Sequence, residues 1–168
     1  MKKWMSILLT ALLSIAVLAG CNTENKSESK ETEASAASDN DNDSKQITAL
    51  VGLQMEMIQT IRENLEPVTA YEQSQDAALQ EQAVSSSKQI ANELRGLEIP
   101  SDLSKELQGD MKESVELLAL YFEERAATLK PDADLTEMEA AFAAFHEKIG
   151  ATFEKAGLHA PNFEKDVN

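Results

Sequence analysis

Few residues of this 168-residue chain have the types and spacing to do chemistry. One cysteine, Cys21, offers a thiol that can take a covalent group. Two histidines, His146 and His159, could move protons or bind a metal. His146-Glu147-Lys148-Ile149-Gly150 starts like the zinc-helix pattern H-E-x-x-H, but Gly150 stands where the second His belongs. Neither His has a Glu three residues before it, so the Glu-x-x-His pairs of di-iron bundles are missing. Met55 or Met57 with His146 would supply a haem pair, yet methionines at helical spacing ordinarily fill cores. Glu123-Glu124 and Glu137/Glu139 could do acid–base work in a cleft, but such acids ordinarily face solvent. Neither G-x-S-x-G nor a glycine-rich phosphate loop occurs. The expectation is a non-enzyme with no cofactor and no metal site.

That leaves Cys21, and its context is informative. Lys2 and Lys3 precede an apolar run from Trp4 to Val17, followed by Leu18-Ala19-Gly20-Cys21. A basic start, an apolar middle and small residues before a cut are the marks of a secretory signal, and the run is short for a bilayer span. Leu18-Ala19-Gly20-Cys21 resembles the lipobox of bacterial lipoproteins. The resemblance covers residues 1–21 and implies cleavage between Gly20 and Cys21, with a diacylglyceryl group on the Cys21 sulfur. Each buried methylene contributes ~0.8 kcal/mol, and two acyl chains suffice for stable anchoring. The implied location is the extracytoplasmic face of a bacterial membrane.

The next stretch, residues 21–44, reads as a lipidated Cys and a disordered acidic tether. Residues 22–44 contain no aromatic, Leu, Ile or Val, and carry seven acids against two lysines. Such a sequence cannot bury enough apolar surface to offset its ordering entropy. Its random-coil span is about 25–30 Å and its full extension roughly 80 Å. Polar acidic tethers of this kind are similar to those of Gram-positive lipoproteins.

The elements that would position any site lie beyond residue 45. Apolar residues recur there every three or four positions, which predicts helices and no strands. A first helix is expected at 45–66, capped by Asp43 with Gln46 answering, its buried face formed by Ile47, Leu50, Val51, Ile58, Ile61 and Leu65. Pro67 ends or kinks it. A second is expected at about 74–96, after a turn or short helical piece carrying Val68 and Tyr71. A third, at 102–129 behind a Ser101 cap, buries Leu103, Leu107, Met111, Val115, Leu118 and Phe122. A fourth, at 135–156, carries Leu135, Met138, Phe142, Phe145, Ile149 and Phe153, with Asp134 and Glu137 as a capping pair and Gly157 as its C-terminal cap. Residues 158–168 form a tail in which Phe163 is placed to dock. Four amphipathic helices with short connections predict an all-α, antiparallel up-down four-helix bundle over residues 45–157. Three long helices result if the first two merge at Pro67.

The net charge of −15 excludes a simple nucleic-acid or anionic-membrane binder. Cationic partners are attracted instead, and Glu116, Glu123 and Glu124 on the third helix are the first acids expected to meet one. The expected function is a membrane-anchored, non-enzymatic interaction module of the bacterial cell envelope with a protein partner. The alternative is a small-molecule or lipid carrier that uses the bundle interior, lined by Met and Phe of the first and fourth helices.

Overall fold

The computed structural model describes residues 33–168, with side chains from Asp41 onward. The signal run, the lipobox and the first part of the tether lie outside the described residues. Among the described residues the chain is all-helical, with five helices and no strand: α1 (Glu33–Asn64), α2 (Glu66–Ser74), α3 (Ala77–Arg95), α4 (Lys105–Thr128) and α5 (Thr136–Lys155).

The count of four becomes five because Pro67 splits the expected first connection into a helix of its own. Proline has no N–H and its ring crowds the preceding turn, so α1 stops at Asn64 and α2 restarts with Pro67 in its first turn. Leu65 between them keeps right-handed helical dihedrals, and its carbonyl accepts from the N–H groups of Val68 and Thr69. The reversal comes later, at Gln75, which adopts φ 53°, and at Asp76, whose carboxylate accepts from the Ala78 N–H at 2.9 Å to start α3.

The start of α1 also differs. A helix expected from residue 45 begins at Glu33, so Glu33–Ser44, assigned above to the tether, is helical. Asp43 lies inside the helix, and Gln46 accepts from the Ser104 N–H at 2.9 Å instead of capping α1. Once a segment is fixed by packing, extending it backward needs no new nucleus. The Asp41–Lys45 ion pair (3.1 Å) and the bond from the Thr48 hydroxyl to the Ser44 carbonyl support the added turns.

Cross-contacts fix the directions. Gln80 meets Leu129, Ser87 meets Phe122 and Arg95 meets Glu116, so α3 and α4 are antiparallel. Lys148 meets Asp110 and Lys155 meets Glu106, so α4 and α5 are antiparallel. Between α3 and α4 the chain passes Pro100 and turns at Ser101–Leu103, where the Leu103 N–H reaches the Pro100 carbonyl. The cap of α4 is therefore Ser104, not Ser101, its hydroxyl accepting from the Leu107 N–H. At α5 the Asp134 carboxylate accepts from the N–H and hydroxyl of Thr136, while Leu135 occupies the cap position. Gly157 ends α5 at φ 73°, and the Leu158 N–H returns to the Phe153 carbonyl, the left-handed closure expected there.

One main core joins α1, α3, α4, α5 and the tail. Leu50, Leu53, Met57 and Ile61 of α1 face Ile90 and Leu94, the α4 stripe, and Phe145, Ile149 and Phe153. The α4 stripe is buried as expected at Leu107, Met111, Val115, Leu118 and Phe122. The α1 face is rotated from the expected one: Leu53 and Met57 are inside, while Val51 is 40% exposed. Leu135 is likewise outside the core. A smaller cluster of Val68, Tyr71, Ala83 and Leu129 locks α2 to α3 and the end of α4. Phe163 docks fully, edge-on to Phe145 at 5.0 Å, and Val167 is buried with it.

Candidate functional site

The three acids singled out on α4 do not share one environment. Glu116 and Glu123 stand two turns apart on one face, and Arg95 at the end of α3 reaches both. Its guanidinium donates to Glu116 at 2.7 and 3.0 Å and to Glu123 at 2.5 and 3.0 Å. Arg95 holds the Glu123 carboxyl below its ordinary range, and Glu123, then Glu116, push the guanidinium further up. These acids tie α3 to α4, and their charge is partly balanced by Arg95. Glu124 is half-buried.

A second set links α4 to α5. Glu106, Asp110 and Glu113 lie along one side of α4, opposite Lys148 and Lys155. Lys148 pairs with Asp110 at 2.8 Å and Glu113 at 2.5 Å; Lys155 pairs with Glu106 at 2.8 Å and Asp110 at 2.7 Å. Asp110 is the centre, its side chain 14% exposed. Hydrogen bonds from Lys148 and then Lys155 lower its pKa, and Asp110 is the main cause of the raised values of both lysines. The arrangement leaves no unpaired base beside an acid, and it reads as a ladder holding two helices in register.

The third charged group is interior. Arg125 is 2% exposed and pairs bidentately with Glu72 of α2 at 2.9 and 2.7 Å. It also donates to the Val167 carbonyl and lies 5.8 and 5.9 Å from the Tyr121 and Phe122 rings. Burial raises the Tyr121 hydroxyl above its ordinary pKa.

His146 stands edge-on to Phe142 at 4.4 Å and near Phe145, its Nε2 enclosed without a hydrogen-bond partner among the described residues. His159 is exposed in the tail. No three His, Cys, Asp or Glu side chains among the described residues are grouped to hold a metal ion. Met57 and Phe145 are closed inside the core, whereas Met55 is 57% exposed.

Open surface features are of two kinds. A polar cleft of about 640 Å³ lies between Gln46, Ser104, Lys155 and Gly157, where α1 crosses the ends of α4 and α5. A more apolar depression of about 410 Å³ lies on the outer side of α1, lined by Met55, Glu56, Ile58, Gln59, Arg62 and Glu63. Among the described residues no helix is long and apolar enough to cross a membrane.

Comparison with protein-family profiles, curated proteins and solved structures found no match.

Three features escaped the sequence. Arg95 and Arg125 each sit on the helical face that also carries apolar stripe residues, and nothing in local spacing reveals their distant acids. Ser87 is placed in the same way by a distant partner: its hydroxyl donates to the Phe122 carbonyl at 2.6 Å across α3 and α4. The exposed Val51 and Met55 were a near miss. A 100° helical step places Val51 close to both faces, and only the neighbours decide which is covered.

Proposed function

We propose that the chain is a lipid-anchored, extracytoplasmic, non-enzymatic interaction module of the bacterial cell envelope, its body an up-down packing of α1, α3, α4 and α5 with α2 as a corner piece. The observation that carries this reading is Leu18-Ala19-Gly20-Cys21 behind Lys2-Lys3 and an apolar run. The folded part is consistent with it. Its cross-helix ion pairs serve packing, and its open features are surface clefts. On this reading α1 also serves as a spacer, because Glu33–Lys45 adds about 20 Å of helix ahead of the first contact with α4. The carrier reading has no comparable support, since Met57, Phe145 and Phe153 are buried members of the packed core.

Cells expressing the chain are fed a tagged fatty acid, and the label is followed on the parent and on Cys21→Ala. The parent takes label and fractionates with membranes; Cys21→Ala loses both properties. Label that persists on Cys21→Ala rules out the anchor. Protease added to protoplasts then digests the folded body from outside, and a protected body rules out the extracytoplasmic location.

A further inference from the structure

The outer face of α1 carries two of the most exposed large apolar side chains of the described fold, Met55 at 57% and Val51 at 40%, one helical turn apart. Ile58 lies beside them at the edge of the core, 8% exposed. Met55, Ile58, Gln59 and Arg62 fall at i, i+3, i+4 and i+7. Those four positions frame the hole that receives one side chain of a facing helix in knobs-into-holes packing. Here they border the depression of about 410 Å³. Gly52, next to Val51, has nothing within 4 Å of where a Cβ would sit, so a second backbone has room to approach.

Charge narrows the occupant. Residues 33–168 hold 27 acids against 11 Lys and Arg. Glu56 and Glu63 border the depression, and neither has a cationic partner among the described residues; Glu63 accepts only from Gln59, at 2.7 Å. Arg62 is engaged with Asp166. A second copy would bring a like-charged body to the same face. A lipid surface would meet a narrow strip edged by acids, where interfacial helices carry Lys and Arg.

We propose that this strip of α1 docks an amphipathic helix of another protein, with apolar knobs for Val51, Met55 and Ile58 and Lys or Arg beside them for Glu56 and Glu63. The proposal rests on the interaction-module reading and names its surface and the chemistry of its partner. The pairing follows helix-in-groove recognition, with an apolar seam for affinity and flanking charge for orientation.

The probe is a synthetic helix of three heptads, Leu at a and d and Lys at e and g, titrated by fluorescence anisotropy into the full chain. The comparison is with the Val51→Glu/Met55→Glu variant. Those substitutions add negative charge, so attraction by charge alone predicts equal or tighter binding. Docking in the strip predicts binding weaker by about tenfold or more. Glu56→Gln/Glu63→Gln should bind a few-fold more weakly than the parent and show a shallower salt dependence. Equal or tighter binding by Val51→Glu/Met55→Glu overturns the proposal, as does a parent chain that does not bind. Concentration-dependent dimers that Val51→Glu/Met55→Glu dissolves, or anionic vesicles that bind the parent through the same residues, assign the strip to another occupant and overturn it as well. Fatty-acid labelling of Cys21 reads the anchor separately, so either idea can fail alone.

Discussion

The buried guanidinium of Arg125 donates to the backbone carbonyl of Val167, almost at the end of the chain. The same group pairs with Glu72, so one side chain of α4 holds both α2 and the tail. Two further contacts secure the segment: Phe163 against Phe145, and Asp166 against Arg62 of α1. The last ten residues are thus part of the fold. They close over α1, α4 and α5 like a strap whose fastening points lie far apart in sequence.

Removing one partner of a buried charge costs more than the pair itself contributes, because the other charge is left without compensation. Glu72 is partly exposed and keeps its shape and hydrogen-bonding amide in Glu72→Gln, whereas Arg125 is almost fully buried. Glu72→Gln is expected to lose about 1–3 kcal/mol, and Arg125→Ala about 3–5 kcal/mol with the lost packing. Urea unfolding followed by circular dichroism measures both. A loss for Arg125→Ala no larger than for Glu72→Gln would show that the Val167 bond and the ring contacts contribute little.

Phe163 is fully buried although it lies in a segment without regular helix. Phe163→Ala leaves a hole against Phe145 and should cost about 3–5 kcal/mol. Hydrogen exchange should then quicken at Asp166 and Val167, whose N–H groups bond to the Phe163 carbonyl. A variant as stable as the parent would place the tail outside the core.

Acid should loosen the α4–α5 ladder. Asp110 has an ordinary value of 3.8 and is held lower in the fold by Lys148 and Lys155. A carboxyl depressed by folding binds fewer protons than in the unfolded chain. Its contribution is present above pH 3.8 and is lost as pH falls through the lower folded value. Glu123, held down by Arg95, acts in the same direction. Stability measured against pH should fall below about pH 4, and less steeply in Asp110→Asn. Parallel acid limbs for parent and variant would remove Asp110 from the account.

Gly157 adopts φ 73°, where a side chain is strained whatever the space. Gly157→Ala should cost about 1–2 kcal/mol, and Gly157→Asn less, since Asn tolerates this region better. Thermal melts of the two variants give the order; equal melting temperatures would mean that the closure relaxes without strain.

The added turns of α1 can be tested separately. Residues 41–45 are exposed and the first buried residue of α1 is Leu50. Asn42→Pro should lower helical ellipticity while leaving the unfolding midpoint nearly unchanged, because the described side chains of these turns, residues 41–45, are exposed. Unchanged ellipticity would show that the helix does not extend ahead of residue 42.

Local chemistry was enough to determine much of this protein. The α4 stripe from Leu107 to Phe122, the Gly157 closure and the break at Pro67 follow from spacing and backbone sterics, which are properties of neighbouring residues. The tertiary structure decided what depends on distant partners. It placed α2 as a separate helix, turned Leu53 and Met57 inward and Val51 outward, and gave Arg95 and Arg125 their acids. It also fastened the tail through residues about forty and a hundred positions away. Helical spacing states which side chains share a face. Which face is covered, and which charges meet, is set by where the other helices lie, and that information is not local to any one segment.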